Sequence, residues 1–69
     1  MSNPRIIIEQ LIESGMKEVE ITDAVKAEGV EVTGATINRI RHGKIKRTGY
    51  DIGMALARLH ERRCLRQSA

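Results

Sequence analysis

Aromatic residues are almost missing from this 69-residue chain: Tyr50 stands alone, with no Phe and no Trp. A core must therefore come from Ile, Leu, Val, Met and Ala. The stacking platforms that usually hold single-stranded nucleic acid have no side chains to build them. Cysteine is nearly absent too. Cys64 is the only one, so no internal disulfide can form, and the chain reads as a protein of the reducing cytoplasm. Apolar runs such as Ile6-Ile7-Ile8 are far too short for a membrane span or signal peptide, which predicts a soluble, unprocessed protein with no membrane partner. Repeats, linkers and low-complexity tracts are lacking as well. A domain of this size buries only about 60% of its unfolded surface, which suits a compact helical binding module better than a lidded catalytic cleft. One domain over residues 1–69 is expected.

A further absence is local. No acidic residue occurs between Glu31 and Asp51, while Arg39, Arg41, Lys44, Lys46 and Arg47 all fall inside that window. Net charge is only +3, but residues 1–31 hold three bases and seven acids, and residues 32–69 hold nine bases and two acids. One end thus suits an anionic partner and the other faces water or protein. A fold does not need five like charges in one place. A polyanion-binding surface does, because neutralising phosphates and releasing their counterions supplies most of the affinity for nucleic acid.

Helical periodicity dominates what is present, and strand alternation is confined to Val30-Glu31-Val32. A first helix is expected over 4–14, with Pro4 in its first turn, Asn3 or Ser2 as cap and Gly15 as stop. Ile7, Ile8, Leu11 and Ile12 share a face. A second should run from 17 or 18 to 28, burying Val19, Ile21, Ala24 and Val25 and ending at Gly29. Thr33 caps a third, over 34–42, with Ile37 and Ile40 inward and Gly43 as stop. Thr48-Gly49-Tyr50-Asp51 has capping-box spacing and opens a fourth, from 49 to 63 or beyond. Ile52, Leu56 and Leu59 point inward there. The basic end, from about 64 to 69, is expected to fray. The predicted fold class is all-α, a compact bundle of four to five short helices.

Two short helices joined by a turn, the second bearing exposed polar residues and then bases, make a helix-turn-helix. Gly15-Met16-Lys17-Glu18-Val19-Glu20-Ile21-Thr22 and Thr33-Gly34-Ala35-Thr36-Ile37-Asn38-Arg39-Ile40-Arg41-His42-Gly43-Lys44 resemble the two halves of the Cro/repressor (Xre-type) DNA-binding motif of bacteria and their phages. The resemblance spans about 5–60 and is strongest over Thr36 to Lys44. Tyr50-Asp51-Ile52-Gly53 also resembles the helix after the motif in small phage-borne members. Two departures stand out. About five residues, Gly29 to Thr33, separate the helices where the family's turn is tight. Glu18 stands where the family often has a phosphate-contacting Gln, which makes Lys17 the better candidate for that contact.

The resemblance implies a lambda repressor-like fold and a sequence-specific regulator acting by occupying an operator. Its partners would be double-stranded DNA and a second copy of itself, with Met54, Cys64 or Leu65 as apolar dimer contacts. Base readout would fall on Ala35, Asn38 and Arg39: Ala35 on a thymine methyl, Asn38 on adenine and Arg39 on guanine. Lys17, Thr33, Thr36, Arg41, His42, Lys44, Lys46 and Arg47 would hold phosphates, which positions the protein without specifying sequence.

Blander readings compete. The basic loop can be a solvated face, Asn38 an ordinary surface residue, and Thr36 a packing or capping residue. Arg39 can pair with Asp23 or Glu20, and Ile45 can pack down or stay out. His42 and His60 lack metal-ligand spacing, Cys64 has no catalytic partner, and no cofactor loop or small-molecule site is discernible. An enzyme is therefore not expected, and no cofactor is called for. Two rival functions remain: a protein-interaction module such as an antitoxin or anti-repressor, using the acidic half, and an RNA-binding or antitermination factor, using the basic one.

Overall fold

The computed structural model describes residues 3–45 and 48–65, and of Cys64 and Leu65 the backbone only. Ser2, Lys46, Arg47, the end from Arg66 onward, and the side chains proposed for dimer contact at 64 and 65 lie outside the described residues. Four α-helices follow in chain order: α1 (Pro4–Glu13), α2 (Glu18–Ala27), α3 (Gly34–Arg41) and α4 (Tyr50–His60). No strand occurs among the described residues. None of these helices is long and apolar enough to cross a membrane.

The ends of the helices follow local chemistry. Asn3 caps α1 by accepting from the Arg5 amide at 2.9 Å, with Pro4 in the first turn, where its missing N–H costs nothing. Thr33 caps α3, its Oγ1 accepting from the Thr36 amide at 3.2 Å. Gly29 and Gly43 end α2 and α3 at φ +85° and +73°, a region that side-chain-bearing residues reach only with strain. Beyond α3 the Lys44 amide bonds back to the Arg39 carbonyl and the Gly43 amide to that of Ile40, which fixes where the basic connection leaves the helix.

α1 packs against α2, α3 and α4, and α2 packs against α3 and α4. Ile7, Ile8 and Leu11 of α1 meet Ile21 and Val25 of α2, Ile37 and Ile40 of α3, and Ala55, Leu56 and Leu59 of α4 in one buried cluster. Val32, from the α2–α3 connection, joins them, and Ile45 packs partly against the same cluster. Ile45 therefore ties down the start of the basic connection instead of standing free. Tyr50 remains 80% exposed.

Two local expectations are corrected. Val19 is 61% exposed, and Thr22 is buried in its stead. The Thr22 hydroxyl donates to the Glu18 carbonyl at 2.9 Å, so a polar residue can sit inside without an unpaired group. Its small side chain lies beside Gly34 and lets α3 start close to α2. The capping box expected at Thr48 does not form. Gly49 is the cap residue of α4 and no side chain caps that end. Thr48 Oγ1 lies near Gly53, filling space one turn on. α4 continues as a π-helical turn over Glu61–Leu65, in line with a fourth helix running to 63 or beyond; of the end expected to fray, residues 66–69 lie outside the described residues. Arg62 pairs with Glu28 at 3.1 Å, and Arg63 donates to Ser14 Oγ at 3.0 Å and to its carbonyl at 3.3 Å.

Candidate nucleic-acid interface

α3 is eight residues long and buries only Ile37 and Ile40. At 100° per residue, these two fix which face is left outward. Ala35, Asn38, Arg39 and His42 follow at i, i+3, i+4 and i+7 on the opposite side, and all four are exposed. The three residues expected to read bases thus share one exposed stripe with His42. Gly34, also exposed, leaves the start of the helix without bulk.

The expected phosphate-binding residues divide into groups. Lys17 precedes α2 and is exposed, its amide fixed by Glu20 Oε1 at 2.8 Å. Lys44 is exposed just past the end of α3. Thr33 is exposed at the start of α3, but Thr36 turns its hydroxyl to Thr33 Oγ1 at 3.1 Å. That pairing favours the capping reading of Thr36. Arg41 is turned toward the protein: its Nη1 donates to Glu18 Oε2, and it borders a depression with Glu9, Ile12 and Glu13. Its charge is offset internally, unlike those of Lys17 and Lys44. Arg39 makes no ion pair with Asp23 or Glu20 among the described residues.

Two features escaped the sequence reading. Arg5, on α1, brings its guanidinium against the turn after α3: a Cβ placed on Gly43 would lie 3.5 Å from Arg5 Nη1. A base from the acidic half of the chain thus joins the basic connection. The other is Glu18, which stands where the resemblance puts a phosphate-contacting Gln. It accepts from Arg41 and also from Asn38 Nδ2, at 3.2 and 3.3 Å. Arg41 chiefly, then Asn38 and the nearby His42, hold its pKa below the usual glutamate value despite partial burial, so it stays ionised. No sequence signal could have shown this, because the partners lie 20 and 23 positions away.

The acidic half is partly neutralised by the chain's own arginines, while Glu13, Glu20, Asp23 and Glu31 are exposed with no ion pair among the described residues. Glu9 lies 3.8 Å from Arg5, Glu18 holds Arg41, and Glu28 accepts from Arg58 at 3.2 Å and Arg62 at 3.1 Å. Those two arginines, Arg58 first, depress the Glu28 pKa as well. Among the described residues, no group of three or more His, Cys, Asp or Glu side chains is placed to hold a metal ion. No family model, curated protein or solved structure matches this chain.

Proposed function

We propose that this protein is a sequence-specific double-stranded DNA-binding regulator of the Cro/repressor type, in which α2 and α3 form a helix-turn-helix. The observation that carries the reading is the exposed stripe Ala35, Asn38, Arg39 and His42 on the short helix α3. In the chain, exposed bases bracket the two helices, Lys17 before α2 and Lys44 after α3. An α-helix fits the major groove, where each base pair presents its own pattern of donors and acceptors. Asn38 and Arg39 supply the hydrogen-bonding edge, and Ala35 allows close approach or contact with a thymine methyl.

Lys17, Thr33, His42 and Lys44 grip the sugar-phosphate backbone in this reading, with Arg5 added to them. Lys46 and Arg47 extend the grip by their place in the chain. Arg41 contributes through the donors that Glu18 leaves free. The exposed start of α3 adds backbone N–H groups and a partial positive charge. The short reach of one such module calls for two copies on a nearly palindromic site, half-sites about 34 Å apart. Tyr50 and the partly exposed Met54 on α4 give the apolar surface on which such a pair would meet. Operator occupancy, excluding polymerase or a competitor, is the regulatory step.

A protein-binding role for the acidic half has exposed carboxylates at Glu13, Glu20, Asp23 and Glu31 to draw on, while Glu9, Glu18 and Glu28 are engaged by the chain's own arginines. An RNA-binding role has few stacking groups to use: Tyr50, the lone Phe/Tyr/Trp residue, sits on a different helix from the stripe. Selection of bound sites from random duplex DNA, with affinity followed against salt, tests the reading. A recurrent two-fold-symmetric motif and a steep salt dependence are expected. Absence of any enriched motif together with salt-independent binding refutes it.

A further inference from the structure

The DNA-binding reading leaves open which base edge Asn38 selects, and the contact between α2 and α3 bears on that. An ionised carboxylate only accepts hydrogen bonds, so Asn38 must turn Nδ2 toward Glu18 and cannot present Oδ1 to it. Both distances, 3.2 and 3.3 Å, run from that one nitrogen to the two oxygens of the same carboxylate. A single N–H, shared between those oxygens, accounts for them. Oδ1 and the second N–H are left for another partner. Arg41 holds the carboxylate from its other side, through the same Oε2. An exposed asparagine amide ordinarily flips freely; this one has a fixed sense.

Resting on that reading, we infer that Glu18 is a positioning residue that sets base preference by locking Asn38 with its carbonyl oxygen outward. Adenine offers an N6–H₂ donor beside the N7 acceptor, which complements the free Oδ1 and N–H as a pair. Cytosine offers a donor alone and is second best. Guanine N7 or thymine O4 can take the free N–H, but neither base offers a donor to Oδ1, and guanine O6 meets it acceptor to acceptor, so both are disfavoured. A glutamate beside a phosphate-binding surface weakens affinity, and here that loss yields discrimination at one base pair.

The test compares site selection by the wild type with that by Glu18→Gln, Asn38→Ala and the double variant. A glutamine donates as well as accepts, so Asn38 is free to turn over. At one base pair per half-site, a preference of roughly tenfold for adenine over guanine should fall toward parity in Glu18→Gln. Overall affinity should hold or rise, because a negative charge is gone. In the Asn38→Ala background, Glu18→Gln should change nothing more at that base pair. A merely structural role would instead weaken binding to all sequences alike and leave the preference intact, which overturns the inference while the DNA reading stands. Failure of the wild type to select any duplex overturns both. A separate readout covers a variant that does not fold: the Asn38 side-chain amide of the free wild-type protein, followed by ¹⁵N NMR. The two N–H protons of any asparagine are distinct, because rotation about the amide C–N bond is slow. One of them shifted downfield and protected from exchange with water is expected; both at the positions and exchange rate of a free surface amide refute the lock.

Discussion

Thr33 joins the stability of α3 to its proposed placement on DNA, and substitutions there separate the two. Its hydroxyl oxygen caps the Thr36 amide at 3.2 Å, near the long end of the hydrogen-bond range, and the pair is exposed. Removal in Thr33→Ala should therefore cost about 1 kcal/mol, the middle of the range for a lost N-cap. A helix with two buried side chains has little to offset it. In a domain of this size that loss lowers Tm by roughly 4–8 °C. With a urea m value of about 1 kcal/mol/M, the midpoint should fall by about 1 M at unchanged slope. Thr33→Asp should retain wild-type stability, because aspartate caps at least as well as threonine and favours the positive helix end. On DNA the same variant should bind all sequences more weakly, since a carboxylate would face phosphate. Circular dichroism in urea and a titration against duplex DNA read the two effects. If Thr33→Asp is as unstable as Thr33→Ala, the capping account is wrong. If it is stable and binds like the wild type, this end of α3 does not face a phosphate backbone.

Other outcomes follow from the same geometry. Asn38→Ala and Arg39→Ala should flatten the preference for operator over random duplex, whereas Lys44→Ala should weaken both alike and reduce the salt slope by about 1. In α2, Ile21→Ala should destabilise by roughly 2–5 kcal/mol, as for deletion of a fully buried side chain. Val19→Ala should stay within about 0.5 kcal/mol, and equal costs by urea unfolding would contradict the α2 orientation. Acid should weaken the fold through Glu18 and Glu28, whose folded pKa values lie below the usual 4.5. Lowered values mean their stabilisation is complete above that pH and fades as pH falls through the folded values. Unfolding midpoints between pH 6 and 3 should show this, and a doubly substituted Glu18→Gln, Glu28→Gln protein should lose part of the slope.

Caps and stops were the most legible part of the chain. Asn3, Thr33, Gly29 and Gly43 act on their immediate neighbours, so three or four residues of context suffice to find them. The orientation of α2 was not legible. With few apolar residues, its inner face is decided by Thr22, whose hydroxyl bonds to its own helix and frees the residue to go inside. Thr48 failed as a cap because residue spacing leaves open which of Thr48 and Gly49 begins the helix. Of the interface, the stripe on α3 could be read from Ile37 and Ile40 alone. The Glu18 contacts could not, since they depend on how two helices meet. Arg5 was hidden for the same reason: only the packing of α1 against α3 brings it to Gly43. The contacts after α4, the Arg62–Glu28 ion pair and the Arg63 hydrogen bonds to Ser14, are likewise tertiary.

The lone tyrosine has a practical consequence. Tyr50 is open to water in the native state and would be so in the denatured one, and there is no tryptophan. Its fluorescence should hardly respond to denaturation, which leaves backbone dichroism to follow melting. The same phenol becomes a background-free reporter: quenching or a spectral shift on mixing with another molecule would register an approach to the first turn of α4.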